Sequence, residues 1–461
     1  MNVVRRGSLA LAVATVALGL CMSGSASAKL NVMTLKGTPA PGTPAMYNKF
    51  KVVKQGPAKA KKILLLEPGT SAGATNFRPL GNALVKRLKG WQVWSIERRE
   101  NLLEDHSMLE KYLNGDATNQ QVLDYYLGWI LDSSIQPHFQ GKTTEETEFA
   151  KRWGLSMTVQ DIHKVVKIAR KGGRKVVLGG HSLGGSIVTA YATWNFHGKP
   201  GAKGLSGLVF IDGAGAREAD DLPSAEDAQT SLDGLNDPSA SPFITLVPPL
   251  PWAAGVFNAM GSTAALLDPN SRSLVGNFPL LPESLKPPVS ATNLAQYAYA
   301  VDADTGPENL SLVQSHIGDL APSGDPRGWV NGQLGTAQRA AQVFREIDGM
   351  DGTAWYHPLR LTLDAGAVNN GIANPAQKVF GIKTTMGKRV HLPMYSFDTS
   401  LGNGRVKRAT EALAKQSHVP KKWVRTVVRK KTYAHIDPLS ATPSKNDFIK
   451  TLVPFLKMRV K

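Results

Sequence analysis

Short, continuously apolar runs recur along the first half of the chain. They are Ile63-Leu64-Leu65-Leu66, Trp91 to Ile96, Lys175-Val176-Val177-Leu178-Gly179 and Leu205 to Ile211. Each has strand length, and such runs fit strands covered on both faces rather than one. Between them, apolar residues recur at helical spacing. Leu80 to Leu88 is one such stretch. Thr158 to Arg170 is another, with Val159, Ile162, Val165, Val166 and Ala169 on one face and Gly172-Gly173 as a stop. Residues 29–60 are punctuated by Gly and Pro, with short strand-like pieces such as Phe50 to Val53 that predict edge strands. After Gly215 the rhythm lapses. From about Arg217 to Lys383 the chain is rich in Pro, Gly, Ala and Ser, with helical fragments and few strand signals. The alternation returns with a strand over Val390 to Phe397, a helix over Val406 to Lys415, a strand over Val424 to Val428 and a last helix from about Asn446. The pattern predicts an α/β fold: a mostly parallel central sheet flanked by helices. Its core would comprise 29–216 and 384–461, interrupted by a mainly helical or irregular insertion over 217–383.

Gly180-His181-Ser182-Leu183-Gly184 follows the strand at 175 directly and opens a helical stretch rich in Ala and Gly. G-x-S-x-G between a strand and a helix is a nucleophile elbow: a strained turn that holds a serine hydroxyl out over the end of a sheet. Small residues must flank such a turn, and Gly180 and Gly184 do so. A serine hydroxyl needs an imidazole to take its proton and a carboxylate to orient that imidazole. Downstream, Asp398 closes the strand Tyr395-Ser396-Phe397. His435, the last of ten histidines, stands between the final strand and the final helix. Asp212, at the end of the strand over Leu205 to Ile211, is the rival carboxylate.

On these residues, in the order Ser, Asp, His, the core resembles the α/β-hydrolase family, in the manner of serine esterases and lipases. The resemblance implies that Ser182 is the nucleophile, Asp398 the acid after the seventh strand and His435 the base after the eighth. The insertion would be a cap after the sixth strand. In some lipases of the family the acid follows the sixth strand, which is where Asp212 stands. The family's oxyanion hole uses two backbone N–H groups. Here they would come from Leu183, after the nucleophile, and from Thr70, in the loop Glu67-Pro68-Gly69-Thr70-Ser71 after the third strand. Pro68 occupies a position where the family often has histidine. Asp437 is expected to organise the base's loop, and His181 to pack against a neighbouring strand. The charged run Glu97-Arg98-Arg99-Glu100 reads as an ion-pair knot beneath the nucleophile, or else as a charged wall of the substrate pocket.

Composition narrows the reading. Hydrophobic content of 42% and charged content of 20% are ordinary for a globular chain. The formal net charge of +18 favours association with anionic surfaces, or serves solubility alone. No dense Lys/Arg run with interleaved aromatics is present, so no nucleic-acid partner is expected. Residues 1–28 read as a cleavable signal peptide: Arg5-Arg6, an apolar stretch from Leu9 to Leu20, and Ala26-Ser27-Ala28. Either the general or the twin-arginine export route is compatible with it. Cleavage before Lys29 would leave a secreted or envelope-located chain of charge +16, without the single cysteine, Cys21. That composition excludes disulfides and thiol catalysis in the mature chain. No cofactor or metal motif is present, so neither is expected. The expected activity is hydrolysis of small or lipid-like carboxylic esters. The alternatives are a peptidase of the same fold, with Glu218, Asp220 and Asp221 in the cap capturing an amine, and a non-catalytic envelope-binding protein. Trp252, Trp329, Trp355 and Tyr356 would line an acyl pocket or hold the insertion together.

Overall fold

The computed structural model describes residues 29–216 and 222–460. The signal-peptide reading, and the acidic cap residues at 218, 220 and 221, lie outside that range.

Eight strands form the main sheet: β1 (Asn31–Lys36), β2 (Lys49–Gln55), β3 (Lys62–Glu67), β4 (Trp91–Glu97), β5 (Lys175–His181), β6 (Gly207–Ile211), β7 (Met394–Asp398) and β8 (Val424–Val428). Their order across the sheet is β1-β2-β4-β3-β5-β6-β7-β8. β1 and β2 pair antiparallel with each other, and β2 pairs antiparallel with β4; every other neighbouring pair is parallel. The strand order reverses at β3, which has β4 on one side and β5 on the other. In an open parallel sheet the carboxyl ends of strands at such a reversal frame a crevice, where ligands bind.

The apolar runs are buried on both faces, and alternate residues feed opposite cores. Ile63 and Leu65 of β3 join one cluster, while Leu64 and Leu66 join another. Val176 and Leu178 of β5 likewise face away from Val177, and Leu208 and Phe210 of β6 away from Val209 and Ile211. Helices Leu155–Ala169, Leu183–Thr193 and Arg405–Gln416 cover the first face; Arg78–Arg87 and Asp447–Arg459 cover the second.

Between β6 and β7 the chain leaves the sheet, and its described residues pack on both faces. Leu361, Ala376 and Phe380 belong to the first core; Ala265, Leu294 and helix Ala337–Phe344 extend the second. A second excursion runs between β4 and helix Leu155–Ala169, where the sequence pattern assigns no element. It carries helices Ser107–Asn114 and Asn119–Tyr126. Its Tyr126, Phe139 and Trp153 share a third cluster with Trp252, Trp355 and Tyr356 of the longer excursion. The ring centroids of Phe139 and Trp252 are 4.9 Å apart. These aromatics hold two excursions to each other, while Trp329 is half-buried beside the second core.

Candidate active site

Ser182 follows β5 and precedes helix Leu183–Thr193, with φ 55° and ψ −127°. Positive φ is costly for a residue with a Cβ and persists only where its surroundings enforce it. They do so here. The Ser182 N–H donates to the Ile211 carbonyl at the end of β6 at 2.9 Å. A Cβ on Gly180 would collide with the Gly184 carbonyl, and one on Gly184 with the Glu67 carbonyl. The elbow closes only with glycine at both sites. Ser182 and Leu183 are half-buried.

Asp212 stands one residue past β6, beside Ser182, because its preceding residue Ile211 holds the serine amide. Asp212 Oδ2 lies 2.5 Å from His435 Nδ1. Its carboxylate also accepts the Thr399 hydroxyl, the Thr399 N–H (2.7 Å) and the Gly402 N–H (3.1 Å). Burial alone would raise its pKa, but the His435 hydrogen bond and charge, with the Thr399 bonds, hold it below the ordinary range. Asp212 therefore stays ionised while buried.

Asp398, the carboxylate expected to play this part, is turned elsewhere. It accepts the backbone N–H groups of Gly404 (3.1 Å), Val406 (3.3 Å) and Lys407 (2.6 Å). Helix Arg405–Gln416 begins after Gly404 without a side-chain cap. Its open amides need an acceptor, and Asp398 supplies it. The His435–acid pairing thus belongs to the rival, Asp212.

His435 is 1% exposed, in the loop between β8 and the last helix. Its carbonyl accepts His181 Nε2–H at 3.0 Å, and the two rings lie 4.3 Å centroid to centroid. His181 is pushed down to about 3, first by burial and then by the charge of His435. It is a neutral donor that ties the loop of His435 to the elbow. Asp437 fixes the same loop. It accepts the Ala434 N–H at 2.6 Å, the His316 N–H at 2.8 Å, and lies 2.6 Å from His316 Nδ1.

The loop after β3 runs against Ser182. A Cβ on Gly69 would lie 3.4 Å from Ser182 Oγ and closer still to its Cβ. Arg98 organises this loop from below. Its guanidinium donates to Pro68 O (3.0 Å), Gly69 O (2.8 Å) and Ala72 O (3.3 Å), and pairs with Glu67 (3.0 Å) and Glu100 (2.6 Å). A trans peptide points its C=O and the following N–H in opposite directions. Fixing Gly69 O on Arg98 therefore turns the Thr70 N–H away from Arg98. The next amide, Ser71 N–H, donates to His357 Nδ1 at 3.2 Å. Burial and then the Arg98 charge push His357 well below its usual range, which keeps it neutral and able to accept. Of the two readings of the charged run, the ion-pair knot under the loop matches these contacts. Sequence reasoning did not foresee that Arg98 grips three loop carbonyls.

The strand order, the elbow and the histidine loop after β8 define an α/β-hydrolase fold. No family model matches the chain, and no curated protein matches it. Among solved structures the likenesses are broad in coverage and remote in sequence. A candidate lipase from Sulfolobus solfataricus shares 15% identity over 93% of this chain and 94% of that one, with a TM-score of 0.49. A soluble variant of monoglyceride lipase from Saccharomyces cerevisiae shares 12% over 95% and 97%, with a TM-score of 0.40. A thermophilic esterase from Thermogutta terrifontis shares 10% over 93% and 99%, with a TM-score of 0.38.

Proposed function

We propose that this chain is a serine hydrolase that cleaves carboxylic esters. Ser182 Oγ attacks the carbonyl carbon as His435 Nε2 takes its proton. Asp212 keeps the other ring nitrogen, Nδ1, protonated and stabilises the imidazolium. The N–H groups of Leu183 and Thr70 receive the negative charge that develops on the carbonyl oxygen. His435 then protonates the departing alcohol. Water, deprotonated by the same imidazole, attacks the acyl-enzyme and releases the acid. The observation that carries this reading is the 2.5 Å contact of His435 Nδ1 with a buried, ionised Asp212. That contact leaves Nε2 as the basic nitrogen on the sheet edge that also holds the strained serine. A serine, rather than an aspartate, at the elbow argues against epoxide-hydrolase and dehalogenase chemistry.

The test is covalent labelling by a fluorophosphonate probe, with p-nitrophenyl esters of graded acyl length as substrates. Labelling and ester turnover, both lost in Ser182→Ala, support the proposal. Folded protein that never labels is a binding protein on a hydrolase scaffold. Aminopeptidase activity without esterase activity makes it a peptidase. Export of the chain is proposed from residues 1–28 alone. N-terminal sequencing of the protein recovered outside the cytoplasm should begin at Lys29.

A further inference from the structure

The loop after β3 is gripped from two sides. Arg98 holds its carbonyls, and residues 352–357 of the insertion lie along its residues 71–73. Ala354 N–H donates to Ser71 O at 2.9 Å and Gly73 N–H to Gly352 O at 3.1 Å, with Ala72 opposite Thr353. His357 adds a side-chain bond: Ser71 N–H donates to its Nδ1 at 3.2 Å.

The imidazole is itself fixed. It is 1% exposed. Because Nδ1 accepts, the ring proton sits on Nε2, which donates to Thr362 Oγ1 at 3.1 Å. His357 O accepts the Ile244 N–H at 2.9 Å. The residues leading to it are anchored by a buried cluster of charged groups. Trp355 N–H donates to Glu104 Oε1 and the Trp355 indole N–H to Asp351 Oδ2, each at 2.8 Å. His106 lies 2.9 Å from Glu104 and 2.6 Å from Glu346. Glu346 Oε1 accepts the N–H groups of Gly349 (2.7 Å) and Met350 (3.0 Å). The excursion after β4 thus secures the segment 346–357, and that segment bears on the loop after β3.

The direction of the Thr70 N–H depends on the two peptide planes that flank its Cα, because each plane is rigid. The Gly69–Thr70 plane is held through Gly69 O on Arg98 at 2.8 Å. The Thr70–Ser71 plane is held through Ser71 N–H on His357. Arg98 alone would leave the first plane free to swing about its anchor. Ser71 has φ 48°, a left-handed conformation that a residue with a Cβ keeps only where its surroundings enforce it. The bonds from Ser71 to His357 and Ala354 supply that enforcement. We infer that His357 is a positioning residue for the oxyanion hole: through Ser71 it sets the direction of the Thr70 N–H, so a residue of the insertion completes a site otherwise built on the sheet. The inference rests on the serine-hydrolase reading, with Thr70 as a donor.

The test compares His357→Leu, which removes the acceptor, with His357→Asn, whose side-chain oxygen can replace Nδ1. In His357→Leu, kcat for a short p-nitrophenyl ester should fall about 10- to 100-fold with KM little changed. His357→Asn should recover most of that loss. A trifluoromethyl ketone gives a second readout. Ser182 Oγ adds to its carbonyl carbon, the hydroxyl proton passes to His435, and the carbonyl oxygen becomes an anion in the oxyanion hole. Its inhibition constant should rise in step with the fall in kcat, which a purely structural role would not produce. Deuterium exchange over residues 69–73 is a third readout, independent of catalysis. It should quicken in His357→Leu and return toward wild type in His357→Asn. If His357→Leu does not fold, His357→Gln, whose oxygen lies one bond further out, replaces it with the same expectations. Wild-type kcat and exchange in the folded variant overturn the role of His357. So does a loss that His357→Asn leaves unrepaired, or an inhibition constant that does not follow kcat. An active wild type with an insensitive variant overturns this inference alone. A wild type that neither labels with fluorophosphonate nor turns over ester overturns the hydrolase reading and this inference with it.

Discussion

Asp212→Asn and Asp398→Asn form a pair of near-isosteric changes with opposite expected outcomes. An amide at 212 cannot accept from His435 Nδ1–H with its nitrogen, so His435 turns to the wrong tautomer and its basic Nε2 is lost. The same change in a triad hydrolase lowers kcat about 10⁴-fold, or about 5 kcal/mol of transition-state stabilisation. The hydrogen bond to His435 comes from Asp212 and not from Asp398. The Asp398 carboxylate accepts three backbone N–H groups at the start of helix Arg405–Gln416. Losing a helix cap costs about 1 kcal/mol of stability, and kcat should stay within about threefold of wild type. The assay is steady-state hydrolysis of a short p-nitrophenyl ester at pH 8. Chemical denaturation of each variant shows whether the fold survives. If Asp398→Asn loses turnover while folded Asp212→Asn keeps it, the acid has been misassigned.

Arg98→Lys keeps a positive charge for Glu67 but cannot grip Pro68, Gly69 and Ala72 together; kcat should fall about 10²-fold with KM little changed. A folded variant with unchanged kcat removes Arg98 from the positioning of the Thr70 N–H. Glu97 is raised to about 7, chiefly by burial and against the Ala74 and Asn101 bonds. Its folded pKa exceeds its unfolded value, so the folded state holds a proton that the unfolded state has released. Stability should then decline as pH rises from about 4.5 to 7, by up to about 3 kcal/mol from this group. Glu97→Gln should flatten that limb of the pH–stability curve; an unchanged slope refutes the assignment. Gly184→Ala should abolish turnover, because its Cβ would meet the Glu67 carbonyl, and kcat within tenfold of wild type would contradict the tight elbow.

What was legible in the sequence is what local chemistry dictates. β3, β5 and β6 announce themselves because strands buried on both faces are apolar along most of their length, while β4 stands out less, its run broken by buried Gln92 and Ser95. The elbow is legible because a strained serine turn needs glycine on either side, within five residues. The acid was not, because β6 and β7 are neighbours in register, Ile211 opposite Phe397, and an aspartate follows each of these two residues. A Cβ on Gly402 would touch both carboxylates, so the two lie side by side. Which of them faces the base is set by the turn 399–404, through the Thr399 and Gly402 bonds to Asp212. One signal was present. The helix after Gly404 lacks a Ser, Thr, Asp or Asn cap, so its amides had to recruit an acceptor, and Asp398 lay within reach.

The excursions were the least legible part, for the opposite reason. Their order comes from partners far away in the chain, not from any local period. Tyr126 and Phe139 carry no signal in the sequence, and Trp252 and Trp355 are readable there only as aromatics of the insertion; the four become one core only when two excursions fold against each other. The Glu104–His106–Glu346–Asp351 cluster has the same origin, since its halves lie some 240 residues apart.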